Sequence, residues 1–170
     1  MKDHFEMFAA YNRWANRTVY AATRALAEED RNRHQGAFFG SMMGTLNHLL
    51  CADRVWMKRF TGEGEAPRTL DAILHADLDG LEKARDAEDA RIIAWIAGLS
   101  NAQLAATFSY TPLTNPKLVT QRLGSALSHL FNHQTHHRGQ CHAILTSLGG
   151  PSLTLDLVAF QRMHESGRFL

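Results

Sequence analysis

Five histidines crowd the segment SHLFNHQTHHRGQCH, residues 128–142: His129, His133, His136, His137 and His142. Imidazole is the commonest metal ligand and a frequent proton shuttle, so such a cluster points first to metal or acid–base chemistry. On a helix each residue advances about 100°. The centre of the apolar face is set by Leu123, Ala126, Leu127, Leu130, Phe131, Cys141, Ile144, Leu145 and Leu148. His137 then falls roughly 40° from that centre and His133 roughly 80°, whereas His129 and His136 fall roughly 120° and 140° away. His142 lies near the opposite edge of the stripe. His133 and His137 are thus one turn apart and tilted inward, where two imidazoles can reach one ion. Gln134 and Thr135 fill the interval in place of the glutamate of an HExxH hydrolase, which disfavours that class.

A stable site needs a third ligand, and His48 leads the candidates. It stands within TLNHLLCADRVW, an apolar stretch where an unpaired imidazole is costly to bury. A hydrogen-bonded core histidine is the competing reading. Cys51 and Cys141 follow His48 and His137 at helical spacing, so a mixed His/Cys site is open, although packing as small hydrophobes is the simpler role. Asp53 needs a partner in the same stretch: a ligand histidine it orients, or an arginine. His4, His34, His75 and His164 read as surface or capping residues.

The elements that must position these groups are helical nearly throughout. From residue 3 to 27, Phe5, Phe8, Ala9, Tyr11, Trp14, Ala15, Val19, Ala22 and Leu26 recur at three- and four-residue steps. After the polar break EEDRNRHQG, a second helix is expected over residues 37–60, apolar around most of its circumference and hence buried on several sides. TGEGEAPR reads as a loop. Thr69 is expected to cap a third helix that runs to residue 98, with DGLEKARDAEDAR as a solvated charged face. The run TFSYTPLTNPK predicts a loop or small hairpin. A fourth helix is expected over residues 120–148, stopped by Gly149, Gly150 and Pro151. A short helix over 156–164 closes the chain. The expectation is an all-α four-helix bundle, with a short loop or hairpin between the third and fourth long helices.

The chain's 170 residues suit a single domain over 1–170 with a substantial core. Apolar residues make up 45% and charged residues 21%, as in ordinary globular proteins. A net charge of +1, with basic residues scattered, gives no footprint for nucleic acid or an anionic membrane. The opening MKDHFEMFAAYNRW breaks its apolar residues with charge, unlike a signal peptide, and no stretch is long and uncharged enough to span a bilayer. Two cysteines suit a reducing cytoplasm, the expected location.

Three stretches, YNRWAN at 11–16, TLNHLLCADRVW at 45–56 and NHQTHHRGQ at 132–140, resemble the DinB/YfiT-like family of metal-dependent proteins along essentially the whole chain. The resemblance implies a four-helix bundle, often a homodimer, with a divalent metal ion on His48, His133 and His137. Zinc and nickel both suit imidazole. Three neutral ligands leave a coordination position open, the pattern of a catalytic site. Related families use low-molecular-weight thiols such as mycothiol and bacillithiol, which implies a metal-dependent thiol transferase acting on a small electrophilic substrate. Hydrolysis and a non-catalytic, metal-stabilised dimeric binding protein are the alternatives. Arg138 and Gln140 lie beside the site in sequence, with an anionic substrate or helix packing as roles for Arg138.

Overall fold

The computed structural model describes residues 1–163, so the His164 reading lies outside the described residues. The first long helix, α1 (Lys2–Arg24), is followed by the short α2 (Glu28–Asn32) at the polar break and then by α3 (Met42–Thr61). Ser41 caps α3 by accepting the Gly44 N–H at 3.1 Å. Gly62, with φ of 75°, closes it in the left-handed conformation that only glycine adopts without strain.

α4 (Leu78–Ala97) begins well after Thr69, the expected cap. Asp77 caps it instead, accepting the Gly80 N–H at 2.7 Å. The reason lies in the buried Asn47 of α3. Its Oδ1 accepts the N–H groups of Leu74 (2.8 Å) and His75 (3.0 Å), and its Nδ2 donates to the His75 carbonyl (3.0 Å). Backbone groups tied across to another helix are not free to start one of their own.

α5 (Asn101–Ala105), which the apolar periodicity did not indicate, is nucleated by a reciprocal capping box between Ser100 and Gln103. The expected hairpin follows, β1 (Thr107–Tyr110) against β2 (Val119–Arg122), antiparallel with Ser109 opposite Thr120. Thr120 is therefore spent in a strand, and α6 (Leu123–Ser147) starts three residues later than the apolar pattern suggests. Gly149, at φ of 79°, ends it. α7 (Leu157–Arg162) completes the described chain, which is mostly helical. No described helix is long and apolar enough to cross a membrane.

Each long helix packs on two others: α1 on α4 and α6, and α3 on the same two. The core between them is divided. One apolar half contains Phe5, Ala9, Met57, Ile92, Leu127 and Phe131, and the other contains Val19, Leu46, Leu50, Leu81, Cys141 and Ile144. Between them in each of the four long helices lie buried polar residues: Asn12 and Asn16 in α1, Asp53 in α3, Arg85 and Asp89 in α4, Gln134 and Arg138 in α6.

These seven side chains form a closed belt. Gln134 donates to Asp53 Oδ1 at 2.6 Å, and Asp53 Oδ2 pairs with Arg85 at 2.8 Å. Arg85 pairs with Asp89 at 3.0 Å, and Asp89 accepts the amides of Asn12 (3.2 Å) and Asn16 (3.1 Å). Arg138 donates to Asn12 and Asn16 and comes within 3.4 Å of Gln134 Oε1, which closes the circuit. Two carboxylates and two guanidinium groups balance. The middle of α4, expected to be a solvated face, is thus partly interior: Arg85, Glu88 and Asp89 are buried because their partners stand on the same helix or its neighbours.

Candidate metal centre

α3 and α6 lie side by side, and the histidines they carry meet where the two helices adjoin. His48 Nε2 is 3.2 Å from His133 Nε2 and 3.2 Å from His137 Nε2. One nitrogen from each of the three rings falls within 4.8 Å of the others, and no other group of three His, Cys, Asp or Glu side chains among the described residues is so arranged. His48 and His137 are buried and His133 is half-buried.

The outer nitrogens settle the protonation. His48 Nδ1 lies 2.8 Å from the Leu70 carbonyl oxygen, which can only accept, so the proton sits on Nδ1 and Nε2 keeps its lone pair. His137 Nδ1 lies 2.7 Å from Gln140 Oε1 and donates in the same way, with the Gln140 amide turned toward His136 at 3.3 Å. Two ring lone pairs therefore face each other with no proton to share. His133 Nδ1 is buried and has no hydrogen-bond partner among the described residues. Burial lowers the pKa of all three: His48 falls to about 4 and His133 to about 3, helped by their neighbours' charge, while His137 is lowered in spite of Gln140. At neutral pH all three rings are neutral and available as ligands.

The spacing fits a cation. Two nitrogens at about 2.0–2.1 Å from an ion in tetrahedral geometry stand roughly 3.3 Å apart, close to the observed separation. Convergent lone pairs at that distance, with the far nitrogens hydrogen-bonded, are the donor set and outer support expected of a metal centre.

Two segments outside the long helices complete the site. Leu70, in the stretch Asn47 holds against α3, supplies its carbonyl. Phe39, in the turn before α3, lies on the His48 ring with centroids 3.6 Å apart and meets His137 edge-on at 5.5 Å. That turn approaches α3 so closely that a Cβ on Gly44 would lie 2.0 Å from the Phe39 carbonyl oxygen, so only glycine fits there.

The remaining sequence candidates lie elsewhere. His129 and His136 are exposed, their rings 5.7 Å from His133 and 4.8 Å from His137. His142 accepts the Leu153 N–H at 3.0 Å and ties the chain end to α6. His4 and His34 are exposed and His75 is partly so. Neither cysteine joins the histidines. Both thiols are buried, with pKa pushed up to about 11 for Cys51 and about 12 for Cys141. Asp53 takes the arginine partner rather than a histidine, and Arg138 points into the belt, where its guanidinium also lies 5.4 Å from the Tyr11 ring centre. Gln140, whose role the sequence left open, holds a histidine. Leu70, Phe39 and Gly44 were not identified from sequence: a backbone acceptor carries no residue signature, and the helix expected over 37–60 begins only at Met42, so Phe39 lies in a turn that packs back on Gly44.

The profile of the DinB family matches residues 1–168. Among curated proteins the chain is similar to Protein DinB of Bacillus subtilis (strain 168), 25% identical over 166 residues that cover 92% of each chain. The motifs of α1, α3 and α6 that suggested this relationship furnish the three converging rings and five of the seven belt residues, Arg85 and Asp89 of α4 being the others. The chain belongs to the DinB family.

Proposed function

We propose that His48, His133 and His137 hold one divalent metal ion, zinc or nickel, and that the protein is a metal-dependent enzyme of thiol-transferase type acting on a small electrophilic substrate. The observation that carries the metal reading is the pair of lone pairs on His48 and His137, held 3.2 Å apart by partners that fix both protons on the far side of the rings. Three neutral imidazoles neither neutralise a divalent ion nor fill its shell, which favours catalysis over a structural role. When bound, the ion supplies Lewis acidity, keeping a thiol ionised at neutral pH or polarising the electrophile.

The chain's own residues orient and shelter. Leu70 and Gln140 hold two rings in their ligating tautomer, and Phe39 keeps water from one face of His48. The nucleophile in this reading is a low-molecular-weight thiol from solution, because Cys51 and Cys141 are buried and held as neutral thiols. The transferase chemistry itself draws on the related thiol-using families. The same reading takes the chain as a single domain, its four long helices as the family's bundle, and its assembly as a cytoplasmic homodimer without nucleic-acid or membrane partners. A hydrolytic role lacks support, since no carboxylate joins the histidines among the described residues.

Metal analysis of untagged protein, with His137→Ala as control, tests the centre: the wild type retains one ion per chain and the variant loses it. Equal retention by both would remove the ligand assignment. Consumption of electrophiles with and without added thiol then tests the chemistry, and turnover without thiol would replace transfer by hydrolysis.

A further inference from the structure

Gln134 sits between the two histidines that α6 contributes, yet its side chain points away from them into the core, fully buried. Its Nε2 makes two bonds to α3: to the Leu49 carbonyl at 3.1 Å and to Asp53 Oδ1 at 2.6 Å. Leu49 is the residue after His48. The Gln134 amide therefore ties the position after His133 on α6 to the peptide that follows His48 on α3. A helix free to slide by one residue would move about 1.5 Å along its axis. That exceeds the tolerance of a site in which nitrogens must stay within a few tenths of an ångström of ligating distance.

The acceptors are themselves immobile. Asp53 is held by Arg85, Arg85 by Asp89, and Asp89 by the amides of α1. Displacing Gln134 would leave Asp53 with an unpaired lone pair in a site sealed from water, a costly state. The bridge thus resists both sliding and separation of the two helices at the height of the metal centre.

We infer that Gln134 is a positioning residue of the metal centre, acting through the α3–α6 register to set the separation of His48 from His133 and His137. This rests on the metal reading above. It goes beyond that reading in assigning part of the metal affinity and coordination geometry to a residue that touches neither the ion nor its ligands.

Cobalt(II) titration of the metal-free protein, followed by visible absorption, tests this when the thermal midpoint of each metal-free variant is measured alongside. Gln134→Met fills a similar volume without the two bonds. Ile92→Ala, on α4 in the apolar core outside the polar belt, controls for lost stability alone. Both lower the midpoint, but only Gln134→Met weakens cobalt binding by about tenfold or more and shifts the absorption bands. Gln134→Asn, one methylene too short to reach both acceptors, shifts the bands in the same direction and provides the measurement if Gln134→Met does not fold. Wild-type affinity and bands in the Gln134 variants, or an equal loss in Ile92→Ala, would overturn the inference and leave the metal centre standing. A wild-type protein that takes up no cobalt would instead overturn the metal reading and this inference with it.

Discussion

The Phe39 ring lies nearly parallel to the His48 imidazole, its plane turned by only 15°. The stack fixes the ring plane from outside while the Leu70 carbonyl fixes its rotation from behind. A helix position alone would fix neither the plane nor the rotation of that ring. The loop before α3 and the irregular segment before α4 therefore belong to the site as much as the helices do.

Gly44→Ala should undo the stack without touching a ligand. The added methyl collides with the Phe39 carbonyl, and overpacking of this kind costs about 1–3 kcal/mol. Metal dissociation, followed with a chromogenic chelator, is expected to be faster in Gly44→Ala and in Phe39→Ala than in the wild type. Unchanged rates in both would show that the loop is only a cover.

Gln140→Ala removes the acceptor that holds the proton on His137 Nδ1. Loss of such an outer partner typically weakens metal binding about 10–100-fold. Competition against a calibrated chelator measures the change, and Gln140→Glu, which retains an acceptor, should recover most of it. If Gln140→Ala binds as tightly as wild type, the tautomer is being set elsewhere.

Acidification should destabilise the metal-free protein through these rings. In the unfolded chain histidine takes up a proton near pH 6.5, whereas folded His48 and His133 resist it until about pH 4 and about pH 3. Below 6.5 the unfolded state binds the extra protons, so the stabilisation is complete above that pH and is lost as pH falls toward the folded values. Urea midpoints of the metal-free protein between pH 7.5 and 5 should therefore decline. The decline should be shallower after His48→Gln with His133→Gln, and an equal slope in both proteins would contradict the assignment.

Removing one member of the buried ion pair should be costly. Arg85→Met leaves Asp53 and Asp89 without the cation they share in the core, a change that costs about 3–5 kcal/mol. Asp77→Ala, which only uncaps α4, should cost about 1 kcal/mol. Denaturant unfolding of both variants gives the comparison, and similar losses would mean that the belt adds little to stability.

Much of this arrangement was legible in the sequence. Apolar periodicity located α1, α3 and α6, the Gly149 stop ended the last long helix, and the wheel of α6 separated His133 and His137 from His129 and His136. Asn12 and Asn16, one turn apart on the apolar stripe of α1, were a readable sign of a buried polar partner that went unused. Other features left no such mark. The charges of α4 look solvated until the helix opposite supplies Asp53, because periodicity shows which side a residue faces and not what meets it. The late start of α4 depends on Asn47, which lies 27 and 28 residues before the two N–H groups it holds and meets them only through tertiary structure.

The belt that divides the core also determines how mutations combine. A truncation at Ile92 and one at Leu81 fall in separate apolar halves with the polar layer between them, so their energetic effects should sum. Within the layer the opposite holds. Once one link of a closed circuit is cut, cutting a second removes less than it would alone, and the seven residues are expected to vary together or not at all.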